Sequence, residues 1–233
     1  VRSFASIKDS FINNFLQKLI EQNANIDIFA NTNRPVNVPY LKDSIIRKKY
    51  KVGSELKREI QFQRTHDCYY NLVKPYMEKN NVDYDFFIKV RPDLIFFKNA
   101  LVPIEYWSTE NINVRVRGYP YDVTFFYMSY KQLHSGSLLP DDQIYIVPKK
   151  IVNKAFDIEY GPNIYDANQK IKNDWAEGLI AKLFMSHNLK YHLLPMNVII
   201  HNWQWDRDKS QFNKRKSLEL IDLTDFINKA TLS

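Results

Sequence analysis

The sequence predicts a single α/β domain. Segments with helical spacing alternate with short apolar runs along its length. The chain is also long and apolar enough for one full core. Of its 233 residues 45% are hydrophobic, including 15 Phe, 15 Tyr and 4 Trp, a composition of globular rather than disordered chains. No internal repeat or low-complexity linker divides it, so residues 1–233 count as one domain, with 203–233 as a C-terminal extension.

Taken in order, Ile7, Phe11, Ile12, Phe15, Leu16, Leu19 and Ile20 recur every three or four residues and predict a helix over 6–22. Ser6 and Asp9 resemble a capping pair at its start. "NIDIFANT", 25–32, reads as a short strand ending in small polar residues. Residues 33–53, polar and basic with two prolines, read as a loop and a short helix. From Ser54 to about Asn80 the pattern is helical, with Phe62, Thr65, Tyr69, Leu72, Val73 and Tyr76 on one face and Pro75 as a kink or stop. The apolar run Phe86–Val90 predicts a strand, closed by Arg91-Pro92-Asp93 and followed at once by a second apolar run, Leu94–Phe97. "INVRVR" (112–117) and "VTFFYMSY" (123–130) are further strands. "DDQIYIVPKKIVNKAF" reads as a strand and a short helix. "NDWAEGLIAKLFMSHN" (173–188) is a helix that hands over to "YHLLPMNVII", a last strand ending at His201.

Composition excludes several classes. With five glycines, the chain contains neither G-x-G-x-x-G nor a Walker phosphate loop. The single cysteine, Cys68, excludes an intramolecular disulfide and a cysteine-built zinc site, and reads as a small core thiol. A net charge of +7 suits anionic partners. No apolar run reaches membrane-spanning length and no signal peptide opens the chain. The opening Val-Arg-Ser-Phe, without methionine, suggests a piece whose first strand precedes it.

Open α/β sheets bind ligands beyond the carboxyl ends of their strands. Delivered there are Arg2 and Ser3 from the missing first strand, Asn31 and Thr32, Arg91 and Asp93, and His201 with Asn202. Asp141 and Asp142 stand just before "QIYIV", and Glu177 stands in the first turn of the late helix. Arginines, carboxylates and a histidine suit a phosphorylated ligand, with a hard divalent cation as its natural companion. Each candidate has a plain structural reading as well. Arg91 and Asp93 suit an ion pair, Asp141-Asp142 a turn, Asp174-x-x-Glu177 a capping box, and His201 a surface position. "HNWQWDRD" suits a sugar-stacking platform or an apolar flap equally.

Taken together, the opening Arg-Ser-Phe, "NIDIFANT", "QFQRTHDCYYNLV", "YDFFIKVRPDLIFF", "DDQIYIVPKKI" and "WAEGLIAKLFMSHNLKYHLLP" resemble, in order and spacing, the small nucleotide-sugar glycosyltransferases of the GT-A fold. The likeness is to those of large DNA viruses and capsule-making microbes, and residues of AT-rich codons (Lys, Asn, Ile, Tyr, Phe) accord with it. The resemblance implies one Rossmann-like domain with a central, mixed but mostly parallel sheet flanked by helices. It implies a hexosyl- or pentosyltransferase acting from a UDP-sugar on a glycan or glycoprotein acceptor, in the cytoplasm or, for a virus, the host cytoplasm or virion. Arg2, Ser3, Asn31, Thr32, Arg91 and Asp93 would bind the donor. Asp93 and His201 would hold Mn²⁺ or Mg²⁺, and Asp142, then Glu177, would serve as base or acceptor contact. The chain departs from the family in reading Arg-Pro-Asp where Asp-x-Asp is usual. Its literal Asp83-Tyr84-Asp85 precedes the strand, at the wrong end of the sheet. The rivals are a nucleotidyltransferase and a basic nucleic-acid-binding module. Nucleic acid is not expected as a partner, because the positive charge is scattered.

Overall fold

Phe11, Phe15, Leu16 and Leu19 turn one helical face toward the interior, and that face seats the first helix. The computed structural model describes residues 4, 7–47, 63–118, 138–157, 180, 183–184, 186–194 and 196–200. The first helix, α1, runs as an α-helical turn Lys8–Phe11, a π-helical turn Ile12–Leu16 and a second α-helical turn Gln17–Ile20. Its N-cap position is Ile7, which makes no side-chain cap. The expected Ser6–Asp9 cap is therefore not the device used, and Ser6 lies outside the described residues. Strands β1 (Ile28–Thr32) and β2 (Leu41–Ile46) pair in parallel. Of the loop and short helix expected over 33–53, residues 33–40 are loop, β2 corrects 41–46, and 48–53 lie outside the described residues. "LKDSII" lacks the apolar alternation of a half-buried strand, and its ladder to β1 makes it one.

Helix α2 covers 63–68, a π-helical turn Tyr69–Val73 and Lys74–Asn80. The π turn directly precedes Pro75, whose ring and missing N–H are incompatible with a regular α ladder back to residue 71. Asn81, at φ 50°, ends the helix in the left-handed conformation that asparagine tolerates. Next come β3 (Phe86–Val90), β4 (Leu94–Leu101), β5 (Ile112–Gly118) and β6 (Leu138–Pro148). A 3₁₀ turn, Lys149–Ile151, leads into α3, Val152–Phe156. Residues 180, 183, 184 and 186 are helical, as expected of the late helix. The predicted last strand is two strands, β7 (Tyr191–Leu193) and β8 (Met196–Ile200), which join different sheets. The expected strand at 123–130 lies outside the described residues.

The fold is mixed α/β. Among the described residues the strands form three sheets, β1-β2, β3-β6-β5-β7 and β4-β8. The β3–β6, β5–β6 and β4–β8 ladders are antiparallel, and β1–β2 and β5–β7 are parallel. Among the described residues the strands do not form the expected single, mostly parallel sheet. Among these residues β3 also ladders with β6 alone, although its apolar run suggests an interior strand. Its faces are covered instead, Phe87 by Tyr69 and Tyr84, and Phe86 by Trp107.

Strand β6 divides the core. Tyr145 and Val147 join Tyr69, Phe87, Val114, Phe156 and Phe184 on one side. Ile144 and Ile146 join Phe15, Leu94, Phe96, Trp107 and Val198 on the other. A strand buried on both faces reads as a continuous apolar run, as Ile144–Val147 does. Helix α1 docks on β4 through Phe15 and Phe96, 4.8 Å apart between ring centroids, and through Asn14, whose Nδ2 donates to the Phe96 carbonyl at 2.7 Å. Among the described residues no helix is long and apolar enough to cross a membrane.

Two outcomes follow from burial. Desolvation pushes the Cys68 thiol up to about 12, and the thiolate is the reactive form. A disulfide reagent at pH 8 should therefore modify the native chain at least about a hundredfold more slowly than the urea-unfolded chain. Comparable rates would show an exposed thiol. His192 is held below its ordinary 6.5 because burial disfavours the imidazolium, an effect that its bond to the Tyr106 carbonyl opposes. That contact is 3.0 Å, and because the carbonyl accepts, Nε2 carries the proton. The fold thus prefers the neutral ring. Its contribution is complete above the unfolded histidine value and is lost as pH falls below it. Urea titrations from pH 7 to pH 5 should show a smaller loss of stability in His192→Gln than in the parent.

Candidate functional site

Strand β3 ends at Val90 and β4 begins at Leu94, in another sheet. Arg91-Pro92-Asp93 is the corner where the chain crosses between the two sheets. Pro92 fixes one backbone torsion there, and the Arg91 N–H donates to the Gln143 carbonyl at 2.9 Å, extending the β3–β6 ladder by one residue. Asp93 is held from the other side, because Leu94 opens the β4–β8 ladder opposite Ile200.

The antiparallel sense of β6 brings the second half of the site. Val90 lies opposite Ile144, so Asp142 and Gln143 come beside the corner. The alternative reading of Asp141-Asp142 as a turn does not hold, since both residues lie within β6, as the strand read over "DDQIYIV" expects. They do lie in an irregularity. Val114 pairs with Tyr145 but Val116 pairs with Pro140, so residues 141–144 of β6 face Arg115 alone. Such a bulge breaks the alternation of a strand and re-aims its side chains.

The geometry is that of a guanidinium shared by two carboxylates. Arg91 Nε and Nη2 donate to Asp93 Oδ1 and Oδ2 at 3.0 and 2.8 Å, a bidentate fork. Arg91 Nη1 donates to Asp142 Oδ2 at 3.2 Å. The side chains of Arg91 and Asp93 are 20% and 12% exposed, while that of Asp142 is 4% exposed. Arg91 is thus partly exposed and Asp142 is buried. Lys89 Nζ donates to the Asp142 carbonyl and lies 5.4 Å from the centre of the Tyr145 ring. Burial, and after it the Asp142 charge, pushes the Tyr145 phenol upward, so it stays neutral.

The other expected residues are placed differently. Asn31 Nδ2 donates to the Arg64 carbonyl at 3.1 Å, and Thr32 Oγ1 to the Arg34 carbonyl at 2.6 Å. Both stand at the carboxyl end of β1 as expected, bonded to neighbouring backbone. Beside them the buried Asp67 receives Arg47 and Gln63 Nε2, the latter at 2.8 Å. Arg2, Ser3, Glu177 and His201 lie outside the described residues. Asp83, 61% exposed and paired with Lys149, sits at the far end of β3, where Asp85 accepts the Lys149 N–H. A groove of about 440 Å³ lined by Phe86, Pro148 and Lys150 lies at that far end too.

Sequence reasoning missed Lys89, Arg115 and Gln143. Lys89 and Arg115 alternate with apolar neighbours, a pattern that normally marks a solvated face, and no local signal tells a buried cation from an exposed one. Gln143 is adjacent to the expected carboxylates and has no chemistry of its own to flag it.

Comparison with protein-family models, with curated proteins and with solved structures returned no match to this chain.

Removing the Asp142 carboxylate leaves a part-buried guanidinium short of one acceptor. Asp142→Ala should cost about 1–3 kcal/mol by urea denaturation. Asp142→Asn, which keeps an oxygen for Arg91 Nη1, should cost less. Negligible losses in both variants would mean that the Arg91 contact contributes nothing to stability.

Proposed function

We propose that the chain is a glycosyltransferase that moves a sugar from a nucleoside diphosphate, UDP first among them, to a glycan acceptor, with Arg91 facing the diphosphate. The observation that carries this reading is the Arg91 fork, partly open at a strand end and backed by a buried carboxylate. The ordered sequence resemblance to GT-A enzymes supports it independently. Departure of a nucleoside diphosphate develops negative charge on its oxygens, and a pre-positioned guanidinium stabilises that charge without reorganising. An arriving diphosphate would exchange with Asp93 for the same fork, while Asp142 keeps Arg91 in place from behind.

The burial of Asp142 supports a holding role over that of a base reaching the acceptor. Deprotonation of the acceptor hydroxyl then falls to Glu177, the second candidate. Asp93 and His201 are the residues that the resemblance offers a divalent cation. Among the described residues no group of three or more His, Cys, Asp or Glu side chains is arranged to hold one. Both Asp93 oxygens accept from Arg91 instead. The chemistry proposed here for the described residues runs through Arg91.

The nucleic-acid reading gains no support from the paired lysines among the described residues. Lys18, Lys42, Lys149 and Lys150 each pair with a carboxylate, so these cations do not act as a basic stripe.

Calorimetric titration with UDP and with uridine tests the proposal. UDP should bind the parent more tightly than uridine. Arg91→Ala should weaken UDP at least about tenfold, the loss of one charge-assisted hydrogen bond, and leave uridine within about twofold. Equal affinity of the parent for UDP and uridine, or an Arg91→Ala variant that keeps the parent's UDP affinity, would remove the diphosphate from this corner.

A further inference from the structure

We propose that Arg115, which stands outside the charged corner, is the residue that positions it. Arg115 lies in β5 and is 3% exposed. Its Nη1 donates to the Met196 and Val198 carbonyls at 3.2 and 2.7 Å, two alternate residues of β8. Its Nη2 donates to Gln143 Oε1 at 3.2 Å. One guanidinium therefore bonds both to the edge of β8 and to the bulged segment of β6.

Those two elements are the flanks of the corner. On the β3 side, the Gln143 carbonyl accepts the Arg91 N–H, and Asp142, one residue earlier, accepts from the Arg91 side chain. On the β4 side, Asp93 is followed by Leu94, which is paired with β8 at Ile200. The corner belongs to two sheets that share no ladder among the described residues. Arg115 bonds them to each other. The bulge gives this connection its role. Residues 141–144 have only Arg115 opposite them in β5, so the regular β5–β6 ladder leaves this segment to the β3 side, through Arg91 and Lys89, and to Arg115, which holds it from the other side through Gln143.

The inference concerns the arrangement of Arg91, Asp93 and Asp142, and holds whichever anion Arg91 meets. Its effect on a diphosphate rests on the glycosyltransferase reading, and the experiment keeps the two apart. In the ¹⁵N-labelled chain, the Arg91 Nε–H resonance, identified by its loss in Arg91→Lys, reports the fork to Asp93. Its hydrogen-exchange rate is measured in the parent, in Arg115→Met, which removes all three bonds, and in Gln143→Leu, which cuts only the β6 arm. In samples with parental circular dichroism, exchange should accelerate at least about tenfold in both variants. Arg115→Lys, which retains a donor, should recover part of the protection. A purely structural Arg115 would lower the melting temperature and leave Arg91 exchange in the folded state unchanged. That result in Arg115→Met, or in Gln143→Leu should Arg115→Met not fold, overturns the proposal. UDP titrated into the same samples addresses the other reading. A tenfold loss of affinity alongside faster exchange joins the two, whereas a parent that ignores UDP sinks the diphosphate assignment and leaves the exchange result standing.

Discussion

Because β3 and β6 run antiparallel, with Phe86 opposite Pro148 and Val90 opposite Ile144, the carboxyl end of one strand lies beside the entry of the other. That register brings residues 91 and 142 together across 50 intervening residues. It also sets the two cores. Alternate residues of β6 reach opposite faces of the sheet, so Tyr145 and Val147 serve one cluster while Ile144 and Ile146 serve the other. A one-residue slip would exchange these sets and carry the corner away from its carboxylate.

Buried charge is costly unless it is paired and hydrogen-bonded. The chain accepts that cost twice near the corner, at Asp142 and at Arg115. Asp142 is matched with an opposite charge, Arg91. Arg115 is matched with main-chain carbonyls and a side-chain amide. A guanidinium suits the second task because its planar set of donors reaches acceptors on two elements at once. The result is a corner with little freedom in its backbone and one partly open polar fork.

The parts legible in the sequence were those with strong local signals. The spacing of Phe11, Phe15 and Leu19 gave α1, and the runs Phe86–Val90 and "QIYIV" gave the core strands. The abrupt Arg-Pro-Asp between two apolar runs marked the corner, and the structure joins its two charges to Asp142 as neighbours. What was not legible depends on pairing. Strand β2 lacks apolar alternation and follows β1 after eight residues, 33–40, without a helix between them. The alternation of helix and strand suggested a mostly parallel sheet, whereas sense and sheet membership are set by ladders that bring together residues remote in sequence. Asp141-Asp142 looked like a turn because turns and bulges favour the same polar residues. The role of Arg115 rests on three bonds to residues 28 to 83 positions away, and no window along the chain contains them.

The corner also has a meaning for the chain before it is folded. Phe86 is paired with Pro148, 62 residues later. At about 5–20 residues per second of synthesis, β3 waits roughly 3–12 s for its partner, and the start of β4, whose Leu94 pairs with Ile200, waits longer still. An apolar, β-prone stretch without a partner is the kind of segment through which nascent chains associate with one another. Between Phe86 and Phe97 that stretch is interrupted in its middle by a cation, a proline and an anion, the three residue types that most disfavour strand stacking. The same three residues that the folded protein gathers at a strand end act, during synthesis, as gatekeepers against aggregation.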